Sequence, residues 1–192
     1  MRGYWKPVVL AALLALCGCY PTTREAIGIS KGVASDPALM GTWQGHVTGD
    51  QGITYLFFLT HPPEPEQAMI VRVGDGKDPG EWSSFSIVLG KAGANTILNA
   101  VFENGSLPRD ENEDYTPLLY RFEPDGALHL YLMNSLAAED AVRANRLGGE
   151  VVSAGKTADV TLTGDPQIID EYFAANATKL FTVDFGTFRR VN

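Results

Sequence analysis

Two thiols, three imidazoles and two groups of carboxylates are the side chains in this 192-residue chain with chemistry to offer. Cys17 and Cys19 stand two apart at the end of an apolar run, and a thiolate there is a soft nucleophile able to accept an alkyl or acyl donor. His46, His61 and His129 lie in three separate stretches. Oxygen ligands gather at Asp75, Asp78 and Glu81 and again from Asp110 to Asp114, but neither group follows the twelve-residue calcium-loop spacing, so both read as solvated loops. No Gly-x-Ser-x-Gly, His-Glu-x-x-His or phosphate-loop motif occurs. No catalytic residue, metal or cofactor is expected. The rival reading is a hydrolase whose site is assembled from loop carboxylates and histidines.

The thiols are the more specific signal, because the segment before them has an export plan. Arg2 and Lys6 give a positive start, Val8 to Leu16 an apolar run, and Gly18 a small residue before the cut. Such a run is too short for a spanning helix, which needs roughly 20 apolar residues. Leu16-Cys17-Gly18-Cys19 resembles a bacterial lipobox: Leu, a tolerant position, a small residue, then Cys. The resemblance implies diacylglycerol on the Cys19 sulfur, cleavage before it, and acylation of the new amino group. Residues 1–18 are then a signal peptide, and the protein is moored to the bacterial envelope through acylated Cys19. Tyr20 occupies the place where an Asp holds such proteins in the inner membrane, which implies the outer membrane, facing the periplasm.

Charge and cysteine use narrow what remains. Removing Arg2 and Lys6 leaves 13 basic against 23 acidic residues, a net charge of −10 for the mature chain. A surface of that sign repels nucleic acid. With Cys17 removed and Cys19 consumed, no disulfide is expected and the body must hold itself by packing. Residues 19–37 mix Thr, Ser, Gly and isolated apolar residues without a sustained period, which predicts a flexible tether reaching about 20–25 Å. Residues 38–192 then suit one domain.

The elements that must position any site are mostly strands. Leu39 to Thr48 alternates, with Leu39, Gly41, Trp43, Gly45 and Val47 on one face, and His46 falls on the polar face. Ile53 to Thr60 is nearly continuously apolar and reads as a central strand, followed by a Pro-rich loop that begins at His61. Met69–Val73, the hairpin Phe85–Leu89 with Leu98–Phe102, and the hairpin Leu118–Phe122 with Leu128–Leu132 follow. His129 and Tyr131 share the face away from the core. Asn134 or Ser135 caps a helix to about Leu147, and strands at Val151–Val152 and Thr157–Thr163 come next. Asp165-Pro166 opens a second helix with Ile169, Tyr172, Phe173, Asn176 and Leu180 on one side.

Gly41-Thr42-Trp43 on the first strand is similar to the lipocalins and their calycin relatives. There a Gly-x-Trp plugs one end of an antiparallel barrel and a late basic residue covers the indole. That resemblance implies a mainly β fold, an antiparallel barrel of about 8–10 strands with two helices near the C-terminal end, and Arg189 or Arg190 as the indole cover. From roughly Leu128 to Val191 the chain also resembles bacterial lipoproteins with a Leu-Thr-x-x-Pro helix entry, a Phe-bearing amphipathic helix and a terminal Phe-Arg strand, a resemblance that implies no particular activity. Trp43, Tyr55, Phe57, Phe85, Phe102, Tyr120 and Phe122 are the residues expected to line or fill the barrel. The expected role is binding or scaffolding, with a small apolar ligand or an envelope protein as partner.

Overall fold

The structure, a computed structural model, describes residues 20–30, 34, 36–59, 67–73, 81–103, 114–154 and 157–191. It is mainly β, with a lipocalin-like antiparallel barrel and two helices near the C-terminal end. Its strands are β1 (Thr22–Thr23), β2 (Gly41–Val47), β3 (Ile53–Leu59), β4 (Gln67–Val73), β5 (Glu81–Ala92), β6 (Asn95–Glu103), β7 (Thr116–Phe122), β8 (Leu128–Leu132), β9 (Gly149–Ala154), β10 (Thr157–Leu162) and β11 (Val183–Arg190). Helix α1 (Ser135–Arg143) precedes β9, and helix α2 (Pro166–Leu180) precedes β11. Eight strands close a barrel in the order β11-β2-β3-β4-β5-β6-β7-β8. Up-and-down order places the starts of β3, β5, β7 and β11 at one end and their finishes at the other.

Closure depends on β11, which enters the barrel only after the excursion α1-β9-β10-α2. It pairs antiparallel with β8 on one side and β2 on the other. An irregularity between Asp184 and Gly186 breaks its alternation. Phe185 and Phe188, three residues apart, are therefore both buried inside, while Asp184 and Thr187 face out. The same parity sends Arg190 toward the barrel interior and Arg189 away from it.

Two cores share the β6–β7 wall. Inside, Trp43, Leu56, Phe58, Phe85, Ile87, Leu89, Leu118, Tyr120, Leu128 and Phe188 belong to one cluster. Outside, Ile97 and Leu119 join Ala158, Val160 and Leu162 of β10 and Ile169, Phe173 and Ala177 of α2 in the second. Both helices start where their caps direct: Asn134 Oδ1 accepts from Ala137 N at 3.2 Å, and Asp165 Oδ1 from Gln167 N at 2.8 Å. Helix α1 ends at Arg143, short of Leu147, as the chain turns through Asn145 at φ 53°.

The segment read as a flexible tether is packed structure from Tyr20 to Ser30. Strand β1 lies parallel to β10, and Thr23 exchanges backbone bonds with Tyr115 at 2.9 and 2.8 Å. Ala26 and Ile27 are buried. Asn99, fully buried on the outer wall, accepts from Ile27 N at 2.8 Å and donates to Ile27 O at 3.0 Å. Asp170 of α2 accepts from Gly28 N at 2.5 Å and Ser30 N at 3.1 Å. The chain thus forms a strap running the length of the barrel. It bonds Lys91 N to Gly28 O and Ala34 N to Leu89 O, covering the part of β5 that extends past β4. Gly28, at φ 83°, and Gly90 make this approach possible, since a methyl on either would overlap the other's backbone. Composition alone suggested a linker because the anchors, Asn99 and Asp170, lie far along the chain.

Candidate functional site

Three places concentrate functional side chains: the barrel interior, the end closed by Trp43, and a polar cluster on the outer wall. In the interior, Trp43, Phe85 and Tyr120 are 2%, 8% and 5% exposed. A wall residue beside water-sized space would keep accessible surface, so these side chains fill the barrel around them rather than line a hollow. Tyr55 and Phe57 do not join them. Thr54, Leu56 and Phe58 take the inner positions of β3, with Leu56 opposite Trp43 of β2. Tyr55 and Phe57 stack on the outer face, ring centres 6.3 Å apart. Their expected place inside is corrected; β3 is apolar on both faces, so its composition could not reveal which face turned inward. Phe102 is opposite Phe85 in the β5–β6 ladder, but its side chain lies outside the described residues.

The Trp43 end is closed by aromatic and cationic contacts. The indole Nε1 donates to Leu39 O at 2.8 Å, and the Arg190 guanidinium carbon sits 4.6 Å from the indole centroid. Arg190 also donates to Met40 O at 2.8 Å and to Ala38 O, which ties the residues entering β2 to the chain's last strand. Phe122 is 39% exposed on this rim, its ring 5.8 Å from those of Trp43 and Tyr120. It edges the closure and does not lie within the core. Arg189, the other proposed cover, faces out and pairs instead with Asp125 of the β7–β8 turn at 2.5 Å. Asp125 is held below the ordinary carboxylate value by the Ala127 backbone N–H and then by Arg189.

The outer-wall cluster joins β8 to β11. His129 Nε2 is 2.8 Å from Asp184 Oδ1, and its Nδ1 is 3.0 Å from the Tyr131 hydroxyl and 3.7 Å from Glu123 Oε1. The His129 and Tyr131 rings stack at 4.2 Å, and Arg121 lies 5.7 Å from the Tyr131 ring centre. Burial, and then the Glu123 charge, raise the Tyr131 phenol above its ordinary value. A protonated phenol donates to Nδ1, which leaves Nε2–H to donate to Asp184. In that tautomer both imidazole nitrogens are committed, and the phenol is the opposite of an activated nucleophile. The arrangement is a cross-strand latch. Neither the residue spacing nor the strand pattern could reveal Asp184 as His129's partner, because β8 and β11 are separated by the whole helical excursion.

Elsewhere, His46 is exposed and its Nδ1 donates to Gly52 O at 2.9 Å, bracing the β2–β3 turn. Tyr120 donates to Asp36 Oδ2 at 2.7 Å, a partner unmarked in the sequence. Among the described residues no group of three or more His, Cys, Asp or Glu side chains is placed to hold a metal ion. Cys19, His61, Asp75, Asp78 and 110–113 lie outside the described residues.

The chain matches no family model, no curated protein and no solved structure.

Proposed function

We propose that this is a lipid-anchored bacterial envelope protein that binds or scaffolds through the outside of its barrel. The anchor rests on Leu16-Cys17-Gly18-Cys19, and a lipocalin-like ancestry is supported by Trp43 under Arg190. The observation that carries the outward-facing role is the mutual burial of Trp43, Leu56, Leu89, Leu128 and Phe188, which leaves no room beside them for a guest. Envelope partners then meet the exposed wall and rims. Two or three acyl chains hold such a body stably at a membrane, at about 0.8 kcal/mol per buried methylene. No helix among the described residues is long and apolar enough to cross a membrane. Radiolabelled palmitate fed to cells should appear in the wild-type protein and vanish in Cys19→Ser, with that variant released to the soluble periplasmic fraction. An unlabelled wild-type protein would end this reading.

A hydrolase remains the second reading because His129, Asp184 and Tyr131 do converge. Loss of a hydrolytic activity in His129→Ala, with its melting curve preserved, would favour it over the latch.

A further inference from the structure

The strap fixes where an anchor at Cys19 would leave the folded body. Tyr20 packs against the interior cluster and Pro21 is buried. Thr23 is bonded to Tyr115, just before β7 begins. Four residues span at most about 14 Å, less than the roughly 22 Å run of a seven-residue strand. The described chain therefore begins, at Tyr20, at the end of the barrel where β3, β5, β7 and β11 start, and a lipid on the preceding residue, Cys19, would leave from that end. A single residue, Tyr20, separates it from buried chain, so no slack remains to hold the body away from a bilayer that contains the acyl chains.

That end presents apolar side chains to solvent. Trp82, second residue of β5, is 70% exposed; Ile53, first of β3, is 39% exposed; Leu136, in the first turn of α1 after β8, is 70% exposed. Apolar exposure alone does not choose an end, because Leu59, Phe122 and Val191 are exposed at the opposite one. The point of chain exit does. Tryptophan, with its amphipathic ring, is the residue best suited to the headgroup boundary.

We infer that the body rests directly on the bilayer by this end, with Trp82 inserted at the headgroup level, Ile53 and Leu136 exposed at the same end, and no spacer between lipid and fold. This rests on the proposed acylation of Cys19. The partner surface is zwitterionic phospholipid, because a mature chain of net charge −10 is repelled by anionic headgroups.

The mature chain carries two tryptophans, Trp82 at this end and Trp43 buried at the other, which makes the test internal. Full-length acylated protein is reconstituted into phosphatidylcholine vesicles whose acyl chains are brominated near the headgroup, and its tryptophan emission is compared with that in unbrominated vesicles. The Trp82 emission should fall at least about twofold and shift to the blue, while Trp82→Phe, leaving Trp43 alone, should show almost no quenching. Protein that floats with the vesicles yet leaves Trp82 unquenched would overturn direct docking and leave the anchor standing. Protein that fails to float and carries no acyl mass would remove the anchor itself. Quenching that persists in Trp82→Phe would place the Trp43 end at the membrane and overturn the orientation.

Discussion

The two ends of the barrel are closed by different means. At one, the chain's own first and last barrel strands lock together: Trp43 lies under Arg190, whose guanidinium also holds the carbonyls of Met40 and Ala38. At the other, Tyr20 packs on the interior cluster only partly buried, with Val47 and Val183 also half-covered beside that cluster. The first closure is made within the barrel sequence, while the second depends on a segment that arrives from the proposed anchor. Stability should therefore concentrate at the Trp43 end, and attachment at the Tyr20 end.

Removing the indole tests the first half of that contrast most severely. Trp43→Ala should cost about 3–5 kcal/mol in urea unfolding, from lost burial and the cavity left behind. The strap is the next target. Asn99→Ala orphans both the N–H and the C=O of Ile27 in a buried place, which should cost about 2–4 kcal/mol. It should also speed amide exchange at Ile27 and Gly28 while exchange at Trp43 stays slow. Equal acceleration at both would mean that the strap and the Trp43 closure are not independent.

Smaller effects sharpen the picture at the closed end. Arg190→Ala should cost about 1–2 kcal/mol, and Arg190→Lys should recover only part of it, since an ammonium cannot stack on the indole and fork to two carbonyls. Arg189→Ala should change little, because its partner Asp125 is a surface carboxylate. Asp125 titrates below its ordinary value of 3.8 when folded. The unfolded chain then binds more protons in that range, so its contribution is present above the ordinary value and is lost as pH falls through the folded one. Asp125→Asn should accordingly show a slightly shallower loss of stability than wild type as the pH falls below about 4.

Much of the barrel was legible because its signals are local. The Leu39–Val47 alternation set the inward face of β2, and the Leu118–Phe122 and Leu128–Leu132 runs gave the hairpin that β7 and β8 form. Asp165-Pro166 opened α2 at the expected residue. The rest depended on contacts between distant residues. The inward face of β3 was hidden by apolar residues on both sides, and the division of labour between Arg189 and Arg190 was set by the irregularity after Asp184. The strap looked like linker because its polar backbone is satisfied by Asn99 and Asp170, 72 and 142 residues away. The Asp184–His129–Tyr131 latch was invisible for the same reason.

Native mass spectrometry of the protein, gently extracted from membranes, tests the central claim in one experiment. The account predicts a single species whose mass equals the chain from Cys19 onward plus its acyl groups, with no second small molecule released on activation. A bare unmodified polypeptide, or an acylated one that gives up a bound lipid from its interior, would contradict it.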